Sequence, residues 1–225
     1  MRTLRQIYAE YKIMPSLQLH QLRVASVGKL ICENVSKPVN ADYVILAGLF
    51  HDMGNIIKSD LKYFPDFVKP EGIEYWQKIK NEYIQKYGDD SHKAIEKIAR
   101  EIGLPQDVIE LIDNIGFSHA EEVRDHGSLE LKICIYSDWR VGPRGVLSLK
   151  ERIDEAKRRY AARRTDSDIR GTREEDFAKL LNACIAIEKQ LEEAGFTAKE
   201  ATDASIAPIM EALRDYPARQ GAGVI

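Results

Sequence analysis

With 225 residues the chain is long enough to bury about 70% of its unfolded surface in one domain, so it needs neither disulfides nor a structural metal to form a core. Its 33 Lys and Arg nearly balance its 36 Asp and Glu, for a net charge of -3, which argues against nucleic acid or an anionic membrane surface as a stable partner. The start, Met1-Arg-Thr-Leu-Arg-Gln6, lacks the apolar stretch of a signal peptide, and the apolar run 43–50 is too short to span a bilayer, so a cytoplasmic protein without a membrane partner is expected.

Apolar spacings of three and four recur almost throughout and period-two alternation is nearly missing, which predicts an all-α protein. A first helix is expected from Thr3 to Ile13, ending near Pro15, and a second, capped by Ser16, runs to Val35 with His20, Val24, Val27 and Ile31 on its core stripe. The turn Lys37-Pro-Val-Asn40 leads into a buried helix in which Val44, Ala47, His51 and Gly54 share a face. From Ser59 to Gly72, two prolines and several aromatics predict an irregular surface loop. A polar, aromatic helix from Ile73 to Tyr87 follows, and Asp89-Asp90-Ser91 offers caps for a helix with His92, Ile95, Ala99 and Ile102 on one face.

Gly103 ends that helix and Pro105 opens the next, on which Val108, Ile112, Ile115 and His119 fall in register. The helix 129–141 places Asp138 on the face of Leu131 and Cys134, where an ionised carboxylate needs a partner. Ser148 caps a basic helix reaching Arg164, 166–172 is a polar linker, and helices follow at 174–194 and 199–216 before a frayed tail, 217–225. Residues 1–170 are expected to form one helical domain, with 171–225 an extension packed on it. Cys32, Cys134 and Cys184 lie apart in apolar helical stretches and are expected to be small core residues.

One helix after another thus carries a metal-ligand residue type on its apolar stripe: His20, His51 beside Asp52, His92, His119 and Asp138. A single buried histidine is ordinary, but this recurrence points to a shared cation. Imidazole mixed with carboxylate suits manganese, iron, cobalt, nickel or zinc better than calcium, and the lack of cysteine ligands argues against a closed structural zinc site.

On His20, the adjacent His51-Asp52 pair and the distant Asp138, the sequence resembles the HD-domain superfamily of metal-dependent phosphohydrolases, over about residues 16–160. The resemblance implies an all-α HD bundle with added C-terminal helices. It also implies a divalent metal, with magnesium admitted, and two ions where His92 and His119 complete a second site. The family's common HDIGK form ends in lysine, whereas this chain has Asn55, and Lys58 one turn later is the candidate replacement.

The activity implied is hydrolysis of a small phosphorylated substrate, a phosphomonoester or phosphodiester and most plausibly a nucleotide. Asp52 would orient a metal-activated water, while Lys58, Arg140, Arg144 and Lys150 would offset phosphate charge. The same ligand order is similar to that of di-iron oxygenases of the superfamily, and a catalytically silent nucleotide-binding module is a third reading. Oligomeric state stays open, a homodimer included.

Overall fold

The computed structural model is described over residues 2–162 and 174–218, except for the side chains of 156, 159–162 and 174–177. Among the described residues it holds eleven α-helices and no β-strand, only isolated bridges pairing Thr3 with Pro217 and Val141 with Val146. The protein is all-α. No helix among these residues is long and apolar enough to cross a membrane.

Helix α1, Leu4–Glu10, is held at its start by a reciprocal capping box between Thr3 and Gln6. Helix α2, Pro15–Asn34, begins one residue earlier than its expected Ser16 cap. Proline suits the first helical position because it has no N–H to satisfy, and the N-cap residue, Met14, has no side-chain oxygen to cap the following amides. Helix α3, Ala41–Phe50, is capped by Asn40, whose side chain accepts the Tyr43 N–H, and is buried from Val44 to Phe50 on all sides. It packs on α2, on α6 (Gln106–Asp113) and on α8 (Leu129–Arg140), so it is the axis of the molecule.

Close approach of α2 and α3 depends on Gly48. A Cβ there would meet the Ala25 Cα at 2.7 Å, a backbone atom with no room to move aside. The two helices can therefore bring the ring centroids of His20 and His51 to 5.4 Å.

The turns from 59 to 72 lead into α4, Ile73–Tyr87, as the sequence predicted. Asp90 caps α5, Ser91–Ile102, by accepting the N–H groups of His92 and Lys93, and Gly103 ends it at a φ of 85°. Beyond α6 lie α7, Ala120–His126, and α9, Leu149–Ala162. Ser148 caps α9 by accepting the Glu151 N–H, and Glu151 accepts from both the Ser148 amide and hydroxyl.

Helices α10, Glu174–Glu193, and α11, Asp203–Leu213, add Cys184, Ile187, Leu191, Ile206 and Leu213 to the same core as α2, α3 and α8. The division expected at 170/171, the linker 166–172, the end of the basic helix near Arg164 and the tail beyond 218 lie outside the described residues. All three cysteines are free thiols, Cys134 and Cys184 fully buried.

Candidate metal centre

Three helices meet to place four polar side chains together. His20 comes from the early part of α2 and Asp138 from the last turn of α8. His51 and Asp52 come from the turn that ends α3. That helix does not continue to Gly54 as its apolar face suggested. It stops at Phe50, and the hydrogen bonds shorten to three-residue steps, Met53 N–H to Phe50 O and Asn55 N–H to Asp52 O, entering a 3₁₀ turn at Asn55–Lys58. The tighter turn lets neighbouring side chains at 51 and 52 address one point.

His20 Nε2 lies 3.1 Å from Asp138 Oδ1 and 3.5 Å from Asp52 Oδ2. His51 Nε2 lies 3.5 Å from Asp138 Oδ1 and 3.6 Å from Asp52 Oδ1. His20, His51 and Asp52 each offer a ligand atom within 4.8 Å of the others. The His51 tautomer is fixed from behind, because its Nδ1–H donates to the Gly48 carbonyl at 3.0 Å, leaving Nε2 to face the cluster. That buried Nε2 makes no hydrogen bond among the described residues. A buried imidazole lone pair aimed at two carboxylates fits a divalent cation.

The electrostatics agree. Burial pulls the His51 pKa down, but Asp52 and Asp138 outweigh it and push the imidazole up to about 9. Asp138 is also desolvated, yet the two histidines hold it well below the usual carboxylate range. Two carboxylates thus gather positive charge at one spot, as a proton or as a metal. Behind them Gln21, with no exposed surface, accepts the Asp52 N–H through Oε1 at 3.3 Å. Sequence reasoning passed over Gln21. The signal available was a large amide next to His20 on a helix whose other face is apolar.

The cluster forms part of the lining of a cleft of about 770 Å³. Lys58, His92 and Arg152 line it too, as do Tyr63, Phe64 and Phe67 from the 59–72 loop. Phe117 also lines it and packs its ring on Trp139 with centroids 5.2 Å apart. Asn55 is buried against the cleft with its Oδ1 unpaired among the described residues, so the lysine position of related sequences holds a neutral amide here. Lys58 is exposed and faces the cleft.

Other expected residues are placed differently. His92 lines the cleft but is exposed, standing off the buried stripe of Ile95, Ala99 and Ile102. The helix expected to carry His119 ends at Asp113, because the chain turns at Asn114 and Gly116. His119 falls in a separate 3₁₀ turn, Phe117–His119, and is not among the residues lining the cleft.

Arg140 was expected to meet phosphate but is buried, at 3% exposure, and fully engaged. It donates to the carbonyls of Leu147, Ala198 and Ala201 and to the Tyr136 hydroxyl. Arg144 is exposed, pairs with Asp66 at 2.9 Å, and lies outside the lining. Lys150 is exposed on the first turn of α9 and is also outside it. Arg152, two residues on, does line the cleft and is paired with Glu155.

No curated protein matches this chain in sequence, and no solved structure matches it. The family model described as HD domain matches residues 18–157, a span that starts two residues before His20 and includes all four members of the cluster. That family consists generally of metal-dependent hydrolases. By this match, which covers more than half its length, the chain belongs to the HD domain family.

Proposed function

We propose that the protein is a metal-dependent phosphohydrolase that cleaves a small phosphate ester, a nucleotide being the favoured class. The observation that carries this reading is the buried His51 Nε2, which makes no hydrogen bond among the described residues and faces Asp52 and Asp138 in a cleft that also presents Lys58 and Arg152. His20, His51, Asp52 and Asp138 would hold a divalent ion such as manganese, iron, cobalt, nickel or zinc. When bound, such an ion supplies Lewis acidity toward a phosphoryl oxygen and lowers the pKa of a coordinated water.

The chain's own residues supply the rest. Asp52 is part-exposed to the cleft and orients the attacking water by accepting its hydrogen bond. Lys58 and Arg152 offset charge on the phosphoryl oxygens. Water adds to phosphorus, the P–O ester bond breaks, and the departing alkoxide takes up a proton, releasing phosphate and an alcohol. A second ion would draw on His119, which stands off the cleft lining, so the reading takes a single ion. The di-iron oxygenase alternative needs that second ion and has correspondingly less support.

The test is phosphate release from a panel of phosphomonoesters and phosphodiesters by protein loaded with each candidate metal. Release that Asp52→Asn abolishes is the expected result. A panel with no turnover for any metal would overturn the reading.

A further inference from the structure

The last turn of α8 has two faces with different partners. Asp138 faces the cleft and meets His20 and His51, whereas Tyr136 and Arg140, two residues before and after it, stand one turn apart on the opposite face. That far face is fastened to the C-terminal segment. The Tyr136 hydroxyl donates to Glu188 Oε2 of α10 at 2.5 Å and accepts from the Arg140 guanidinium at 2.7 Å. Arg140 reaches on to the carbonyls of Ala198 and Ala201, both at 2.9 Å.

Packing holds the middle of this relay in place. Tyr136 is fully buried, Phe196 meets its ring edge-on with centroids 6.0 Å apart, and the Arg140 guanidinium carbon lies 5.5 Å from its centroid. Glu188 is half-buried, so a carboxylate, a phenol and a guanidinium in sequence couple α10 to the turn that carries a member of the cluster. Glu188, Ala198 and Ala201 all lie beyond residue 157, outside the span of the HD domain.

We infer that Glu188 is a positioning residue for the cation cluster: through the Tyr136 hydroxyl and Arg140 it sets the rotation of the last turn of α8, and with it the reach of Asp138 toward His20 and His51. The geometry leaves little slack. Side-chain ends lie about 5–6 Å from a helix axis, so a rotation of roughly 10° displaces a carboxylate by about 1 Å. Such a shift takes Asp138 Oδ1, now 3.1 Å from His20 Nε2 and 3.5 Å from His51 Nε2, out of contact with both. The inference rests on the cluster being a cation site, and it is independent of the reaction assigned to that site.

Manganese affinity of the metal-stripped protein, measured by calorimetric titration where circular dichroism shows each variant folded, reads the placement of Asp138. Glu188→Leu should weaken it by about 10-fold, the low end of the loss when a group supporting metal ligands is removed. Tyr136→Phe, which deletes only the hydroxyl, should do the same and carries the test if the first variant does not fold. Glu188→Gln, whose amide oxygen still accepts the hydroxyl, should restore most of the affinity. Gln190→Leu is the control, because Gln190 fastens the same helix to the Arg124 carbonyl of α7 instead. Wild-type affinity in Glu188→Leu or Tyr136→Phe, or an equal loss in Gln190→Leu, would overturn the inference.

A second arm needs no metal. The ring-nitrogen NMR resonances of His20 and His51 in metal-free protein should move in Glu188→Leu and stay in place in Gln190→Leu. If wild type takes up no manganese but those resonances move as expected, the metal-centre reading fails and the positioning role stands. If they do not move in Glu188→Leu, the positioning role fails.

Discussion

Replacing Arg140 by Met separates a structural guanidinium from a phosphate-binding one. The side chain is 3% exposed and donates to three backbone carbonyls, those of Leu147, Ala198 and Ala201, and to the Tyr136 hydroxyl. It therefore ties α8 to the strap before α9 and to the segment between α10 and α11. Hydrogen bonds to a charged group contribute about 1.5–3 kcal/mol each, but release of the buried guanidinium from its desolvation cost offsets part of that. A net loss of about 3–5 kcal/mol is expected, because buried carbonyls left without a donor cost about 1–3 kcal/mol each. For a domain of this size each kcal/mol lowers Tm by about 2–4 °C, so thermal unfolding followed by circular dichroism should show a drop of roughly 6–20 °C. At a temperature where the variant is still folded, KM for the phosphate ester should be unchanged. An unchanged Tm with a KM raised by tenfold or more would refute this reasoning and return Arg140 to the substrate.

Gln21→Leu should keep the fold but lower metal affinity by about 10- to 100-fold, because the Asp52 amide loses its acceptor; calorimetric titration showing wild-type affinity would count against that role. Gly48→Ala forces a Cβ onto the Ala25 backbone, so it should cost about 1–3 kcal/mol in urea unfolding and reduce metal content together, whereas a neutral effect would mean the helices part without harm. The folded pKa of His51, about 9, lies above its ordinary 6.5, so in the metal-free protein His51 contributes stability that is fully present below about pH 6.5 and lost, on the order of 3 kcal/mol, as pH rises through 9. Metal affinity should move the other way over that interval, tightening as the imidazole gives up its proton, and an affinity flat between pH 6.5 and 9 would contradict the proton–metal competition.

The four clustered residues were legible because each lies on or beside an apolar stripe, where an ionisable group without a partner is costly. Periodicity alone predicted that His20 and Asp138 face the core, and adjacency predicted that Asp52 accompanies His51. What periodicity could not report is where a helix stops. His119 continued the spacing of Val108, Ile112 and Ile115, but Asn114 and Gly116 break the helix first, so the register no longer applies.

The basic residues were the least legible. Arg140 finds its carbonyl partners at Ala198 and Ala201, about sixty residues on, and Arg144 finds Asp66 far upstream. Such pairings are tertiary and leave no local trace. Arg152, by contrast, reaches the cleft because it lies on the face of α9 opposite Lys150, which no charge count reveals.

The central claim, that His20, His51, Asp52 and Asp138 form one cation site on which activity depends, is tested most directly by elemental analysis of protein stripped of metal and reloaded with manganese. About one ion per chain is predicted for wild type, the same for His92→Ala with His119→Ala, and none for His51→Ala. Full retention of manganese by His51→Ala, or its absence from wild type, would contradict the account.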